Sequence, residues 1–419
     1  MLRRHLAERA VIVGCIGIML LSCGTGSWRV RWSMNIAVQT LGMTCSADIG
    51  LVSIEYTCMD ENESYTQALS IPRTGVNTSK LDVLEKFMRQ MEKDGQNWTN
   101  WTVGEIHSRL SRIDKLRSSY APWMVALAAA LACSAFVFLL GGGPVEMVCC
   151  FVGAGFGNYV RRKMVDHHIT LYACIAVAVT VASVAFLLSL MLMQFIFYVN
   201  SQHEAGYIGA MLFIIPGFPF ITSGLDLSKL DMRSGLERLS YAIIIIDVAT
   251  MMSGLVTMLF RLKPDNFIKL PLTPLNYLLL RLPASFCGVF GFSIMFNFKP
   301  KMVAIAGLIG AVANTLRLEL GDAGMPLGAA AFLGALTAGL LASIVRRKIG
   351  YPRISITIPS IVIIVPGLYM YRAVYNIELT AIGVGALWLT RALIIVAFLP
   401  LGLIAARIMT DTTWRHNNS

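Results

Sequence analysis

The chain has 419 residues, of which 56% are hydrophobic and only 14% charged, and its mean hydropathy is +0.65. Soluble domains carry about 25% charged residues, so this composition argues against a soluble enzyme and for a polytopic membrane protein. The net charge of +11 does not call for nucleic acid. Its basic residues lie in short loops between apolar runs, where the positive-inside bias puts them on the cytoplasmic side.

Residues 1–119 are mixed in composition and predict a small cytoplasmic N-terminal α/β domain. Arg3, Arg4 and Arg9 precede an apolar run over 11–23 that ends in Leu-Leu-Ser-Cys, which resembles a secretory signal. The run is too short to span a bilayer, and export of the region would reverse the sidedness of every later loop, so it is expected as a buried helix. Residues 49–59 and 64–71 read as strands around an Asp-Glu-Asn-Glu turn. Residues 79–92 and 103–116 read as amphipathic helices, with Leu81, Leu84, Met88 and Met91 on one face. Sequons start at Asn62, Asn77, Asn97 and Asn100; in a cytoplasmic domain they stay unmodified. The nine cysteines form no CxxC pair and indicate neither a disulfide framework nor a zinc site.

The remainder is nearly continuous membrane segment. A span needs about 20 apolar residues, and ten are predicted: 121–140, 145–160, 170–192, 207–225, 239–260, 277–298, 302–318, 325–345, 354–375 and 382–409. They group into a first five-helix half, 120–260, and a second, 277–410. With the N-terminus inside, the cytoplasmic loops hold twelve basic residues, from Arg161-Arg162-Lys163 to Arg346-Arg347-Lys348 and Arg353, against Arg261, Lys263 and Lys269 outside. That asymmetry predicts a multi-pass protein of the inner (plasma) membrane with both termini cytoplasmic.

The halves resemble each other. At an offset of 156, Phe136, Pro144, Asn158, Arg161 and Asp166 align with Phe292, Pro300, Asn314, Arg317 and Asp322. At 150, Ile208, Pro216-Gly217 and Asp226 align with Ile358, Pro366-Gly367 and Asn376. An odd number of spans per half makes the second copy enter from the opposite side. The loops agree, because Arg161-Arg162-Lys163 matches Leu320-Gly321-Asp322-Ala323-Gly324, and the uncharged-to-acidic 201–206 matches Arg346-Arg347-Lys348. Two inverted five-helix repeats are characteristic of secondary transporters.

The repeated Pro-Gly pairs interrupt spans four and nine at matching positions. Proline removes a backbone donor, and a broken span frees backbone groups that must line a cavity or be buried in protein. One such break alone would read as a kink; its repetition points to a site. Asp247 lies mid-span among isoleucines and is either a proton-coupling group or half of an ion pair with an arginine of a neighbouring span. Arg372 and Arg391 could fork onto a substrate carboxylate or neutralise Asp247. Thr222, Ser223 and Asp226 follow the first break and could meet an ammonium or hydroxyl. Asn158 and Asn314 read as interhelical glue, and Arg281 and Arg317 as snorkelling side chains. No GxSxG, Walker loop or HExxH occurs, so no catalytic residue, metal or cofactor is expected, and His167-His168 reads as solvated.

Several stretches resemble the threonine/serine exporter family. They are Ser22-Cys23-Gly24 with Trp28-Arg29-Val30, Arg73-Thr74-Gly75-Val76-Asn77, Tyr120-Ala121-Pro122-Trp123, and the passage from Gly209-Ala210 through Pro216-Gly217 and Asp226 to Ser234-Gly235-Leu236. In the second half they are Gly307-Leu308-Ile309-Gly310-Ala311 and Ile363-Ile364-Val365-Pro366-Gly367 with Tyr371-Arg372-Ala373. The resemblance covers roughly residues 20–375 and is to a fused two-component form; where the family has an acidic-threonine pair, this chain has Gly26-Ser27. It implies a cytoplasmic N-terminal domain, ten spans, and export of threonine and serine by proton antiport. Split-component members imply dicarboxylates such as succinate instead.

The expected partners are therefore a small-molecule substrate, protons and the lipid bilayer, and a homo-oligomer is compatible with the sequence. Pro216, Gly217, Thr222, Asp226, Pro366, Gly367 and Arg372 are the expected substrate contacts, with Asp247 for the proton. A membrane-anchored hydrolase or sensor using the N-terminal domain is the reading from another class, and ten spans are more than an anchor needs.

Overall fold

The computed structural model describes the chain except residues 1, 73, 95–101, 117, 199–202, 204–205, 262–266, 268–269, 350–352 and 412–419. Arg73, the sequons at Asn97 and Asn100, Lys263 and Lys269 lie outside the described residues. The chain forms two compact units: Met1–Ser119 with Thr222–Ser240 and Phe296–Phe298, and Tyr120–Ile221 with Tyr241–Met295 and Lys299–Ser419.

In the first unit, the signal-like run belongs to helix α1 (Leu2–Ser22), which packs on α2 (Ser27–Thr40). Leu6, Ala10, Val13, Ile16 and Leu20 form a buried stripe along α1 at three- and four-residue spacing. Strands β1 (Thr44–Ile49), β2 (Ser53–Met59) and β3 (Ser64–Ser70) make an antiparallel sheet in that order. The predicted strand over 49–59 is thus β2, preceded by a turn and the last residue of β1. Gly50 turns the chain, donating its amide to the Ser53 carbonyl at 2.9 Å, and Ile49 pairs with Ile54 across the hairpin. The apolar Leu51-Val52 hid that turn from the sequence pattern.

Helices α3 (Thr78–Asp94) and α4 (Val103–Asp114) complete the unit, and Leu81, Leu84, Met88 and Met91 are buried on one face of α3. A capping box starts α4: Thr102 Oγ1 accepts from the Glu105 amide at 3.3 Å, and Glu105 Oε2 from the Thr102 amide at 2.9 Å. Arg29 and Glu85, both nearly fully buried, pair at 2.7 Å.

The second unit is helical. It comprises α5 (Pro122–Leu139), α6 (Pro144–Asp166), α7 (Leu171–Phe197), α8 (Gly206–Ala210) with a 3-10 turn at Leu212–Ile214, and the start of α9 (Gly217–Ser228). Most of α10 (Met232–Phe260) follows, then α11 (Pro274–Met295), α12 (Pro300–Asp322), α13 (Leu327–Ile349), α14 (Arg353–Val362), α15 (Gly367–Glu378) and α16 (Ile382–Thr410). Among the described residues, seven helices are long and apolar enough to cross a bilayer, and up to nine spans result if each of two bent pairs counts as one. The segment predicted over 145–160 lies in α6, whose first turn carries Glu146 and whose last turns carry Arg161, Arg162 and Lys163.

Helices pack closely where side chains are small, as interhelical contact in a membrane requires. A Cβ on Gly291 of α11 would lie 2.3 Å from the Ala128 carbonyl oxygen of α5. Asn314 donates to Ser285 Oγ at 2.8 Å, joining α12 to α11. Arg281 does not snorkel; it pairs with Glu319 at 2.6 Å and Asp322 at 2.7 Å.

Helix boundaries recur along the chain. Pro144–Asp166 and Pro300–Asp322 have the same length at an offset of 156, and α7 and α13 begin at Leu171 and Leu327. At an offset of 150, α9 matches α15 and α10 matches α16 at both ends. Left-handed residues recur as well: Gly141 and Asn297 (φ 99° and 59°), His168 and Gly324 (58° and 90°), and Leu230 and Thr380 (63° and 61°).

Candidate functional site

The two Pro-Gly motifs each break a helix pair. The segments Gly206–Ile214 and Gly217–Ser228 meet at 57°, and Ser355–Val362 and Gly367–Glu378 at 53°. At each break the glycine amide reaches back only two residues, Gly217 to the Ile215 carbonyl and Gly367 to the Val365 carbonyl, both at 2.8 Å. Pro366, at φ −81° and ψ 57°, has the backbone of an inverse γ-turn. Proline supplies no amide there, so the regular four-residue ladder cannot pass through.

The breaks also touch each other. A Cβ on Gly217 would fall 2.6 Å from Val362 Cγ2, and one on Gly367 would fall 2.5 Å from Ile215 Cδ1. Each glycine therefore accepts an aliphatic side chain of the opposite pair. Beside the crossing, the hydroxyls of Tyr207 (α8) and Tyr371 (α15) hydrogen-bond at 2.7 Å with both rings buried. Ser253 and Thr257 of α10 lie next to this pair. A narrow cavity adjoins it, lined by Met211, Ile214, Ile215, Ala249, Thr250 and Tyr371 among others.

The cations gather on α15 and its neighbours. Arg372 and Arg391 both lie over the Trp388 ring, at 4.9 and 5.0 Å, and neither has a carboxylate partner among the described residues. In the first turn of α15 the amides of Leu368 and Tyr369 have no hydrogen-bond partner among the described residues. A helix N-terminus with free amides favours an anion. Arg317 reaches the other side of the same break, its Nη1 lying 3.5 Å from the Ile364 carbonyl oxygen; it is a break contact rather than a snorkelling side chain.

Asp247 is on an exposed face of α10 with Ile243, Ile244 and Met251. Neither Arg372 nor Arg391 neutralises it. The Glu378 carboxylate packs at Gly254, two turns further along α10.

Asp226 and Thr222 belong to the first unit. The Asp226 carboxylate is saturated there: it accepts from the Ser27 amide at 3.1 Å and Ser234 Oγ at 3.0 Å, and pairs with Arg238 Nε at 3.1 Å. Arg238 in turn donates to the Thr25 carbonyl at 2.7 Å. An expected substrate ligand is thus a structural group that holds the start of α2. Thr222 is fully buried, and Ser223 donates to the Gly235 carbonyl at 2.7 Å. Sequence reasoning missed Tyr207, Tyr371 and the hydroxyls of α10. The signal was present in Thr250, Ser253 and Thr257, three- and four-residue steps along one apolar helix.

The family model described as "Putative threonine/serine exporter" matches residues 12–261, and that described as "Threonine/Serine exporter, ThrE" matches residues 282–409. The chain belongs to the threonine/serine exporter family. As an exporter-family protein it is a multi-pass transporter rather than an enzyme, with both family components fused in one chain. It is similar to "Probable succinate transporter subunit YjjP" of Escherichia coli (strain K12), with 27% identity over 56% of this chain and 89% of the relative. It is also similar to "Probable threonine/serine exporter" of Mycobacterium tuberculosis (strain ATCC 25618 / H37Rv), with 22% identity over 85% of this chain and 68% of that protein. No solved structure matches this exporter-family chain.

Proposed function

We propose that the protein is a secondary exporter of small hydroxy amino acids, threonine and serine, driven by proton antiport across the inner membrane. The observation that carries this reading is the crossing of the two broken helix pairs, with amides and an arginine at the second break that have no hydrogen-bond or carboxylate partner among the described residues. Broken helices at membrane depth are where secondary transporters bind small ions and zwitterions. The substrate carboxylate is held at the start of α15 by the Leu368 and Tyr369 amides and by Arg372. Pro216, Gly217, Pro366 and Gly367 shape the cleft. Asp247, two turns from Glu378 along α10, carries the proton. The matching helix boundaries and left-handed residues support two inverted five-helix repeats, ten spans in all, that rock against each other with both termini cytoplasmic.

A second reading has specific support. Two guanidinium groups on one Trp388 ring suit a substrate with two carboxylates, and the Escherichia coli relative carries the name of a succinate transporter. Cells loaded with threonine through a threonine-containing peptide are expected to clear it faster when they express this protein, and an uncoupler is expected to remove the gain. Succinate-loaded cells serve as the control. Faster succinate efflux with unchanged threonine efflux would overturn the amino-acid reading.

The topology can be tested through Cys45 and Cys58, which face each other across β1 and β2. The Cys58 hydrogen bond holds the Cys45 thiol below its ordinary range, and the same contact together with burial pushes Cys58 up. Cys45 is therefore the more ionised of the two at pH near 8, and its reactivity survives to lower pH. A membrane-impermeant maleimide is expected to label Cys45 ahead of Cys58, and only after permeabilisation, with Cys45→Ser removing the signal. Labelling of Cys45 in intact cells would place this region outside and reverse the proposed orientation.

A further inference from the structure

Serine and threonine inside apolar helices commonly bond back to the carbonyl four residues earlier. In this protein Thr180, Ser189, Ser293, Thr337 and Thr390 all do so. Thr250 and Ser253 do not, and neither do Ser183, Thr315 and Ser355, each in a different helix. Thr250 and Ser253 are both fully buried; among the described residues the Thr250 hydroxyl has no hydrogen-bond partner, and that of Ser253 has none besides the Tyr371 side chain it lies against. A buried hydroxyl left unsatisfied is costly, so Thr250, one helical turn from Ser253 and on the same cavity wall as Tyr371, marks a place where a partner arrives.

Their surroundings narrow the chemistry. Thr250 and Tyr371 share the wall of the cavity beside the first break, and Ser253 lies against Tyr371. The rest of that wall is aliphatic, with no charged side chain. Its free space is about one water in size, which is also the size of a hydroxyl group. A carboxylate placed there would be buried without a counter-charge, whereas a hydroxyl can donate to one of these oxygens and accept from another.

We infer that Thr250 and Ser253, with Tyr371, form the subsite that receives the substrate's side-chain hydroxyl. The inference rests on the amino-acid reading above and adds to it the residues that separate a hydroxylated substrate from its deoxy analogue. A polar site built for a hydroxyl discriminates strongly against the analogue lacking it, because its own groups are then left unpaired.

The test uses the full-length protein in proteoliposomes loaded with labelled L-threonine or with L-2-aminobutyrate, which is threonine without its hydroxyl. Wild type is expected to prefer threonine. Thr250→Val keeps the shape and removes the hydroxyl, and is expected to cut the threonine to 2-aminobutyrate ratio roughly tenfold while 2-aminobutyrate transport persists. Ser253→Ala is expected to act in the same direction, and Thr250→Ser to restore the ratio. If Thr250→Val fails to fold, the ratio in Ser253→Ala decides. Unchanged ratios in the variants that fold, in a protein that moves threonine, would overturn the subsite and leave the export reading standing. A wild-type protein that moves succinate and no threonine would overturn both.

Discussion

Asp226→Ala is expected to destabilise the protein by about 3–5 kcal/mol, because it strands the Arg238 guanidinium without its counter-charge in a buried site. Asp226 and Arg238 are 0% and 3% exposed, so water cannot take over the lost partner. The substitution also removes the acceptor for the Ser27 amide at the start of α2. Thermal unfolding of the purified full-length protein in detergent reads the effect as a lowered midpoint. Adding Arg238→Met to Asp226→Ala is expected to recover part of the loss, since neither charge then remains unpaired. A single variant as stable as wild type would show that the ion pair contributes nothing net. The same result would reopen Asp226 as a substrate ligand.

Asp247→Asn is expected to abolish gradient-driven accumulation while sparing exchange of one substrate molecule for another. One elementary charge moved through 100 mV is worth about 2.3 kcal/mol, which corresponds to a substrate gradient of about 50-fold. Proteoliposomes holding a defined potential and pH difference measure this directly: wild type builds a gradient, and the variant relaxes to equal concentrations. Exchange in the absence of any gradient controls for folding. Undiminished accumulation by Asp247→Asn would move the coupling role elsewhere, with Glu378 as the next carboxylate to neutralise.

Much of the fold was legible because lipid imposes a simple rule on composition. Apolar runs near 20 residues marked the helices, and prolines marked several of their starts, as at Pro122, Pro144 and Pro300. The Pro-Gly breaks were legible for the same reason, since proline's missing amide acts whatever surrounds it. What was not legible depended on distant partners. Asp226 reads as a polar residue just past a break, and nothing local announces that Ser27 and Arg238 will consume its carboxylate. Tyr207 and Tyr371 are 164 residues apart and carry no motif that pairs them. The strand Thr44–Ile49 was missed because its residues alternate between exposed and half-covered positions with one buried end, too little apolar contrast for a period-two signal.

The reciprocal seating of Ile215 against Gly367 and Val362 against Gly217 has a mechanical consequence. Each break is a notch that holds a tooth of the other, so the two bent pairs mesh like gears. Straightening one would expel the aliphatic side chain it holds and push against the opposite pair. In the alternating carrier proposed above, that meshing would favour movement of both breaks together over movement of one alone.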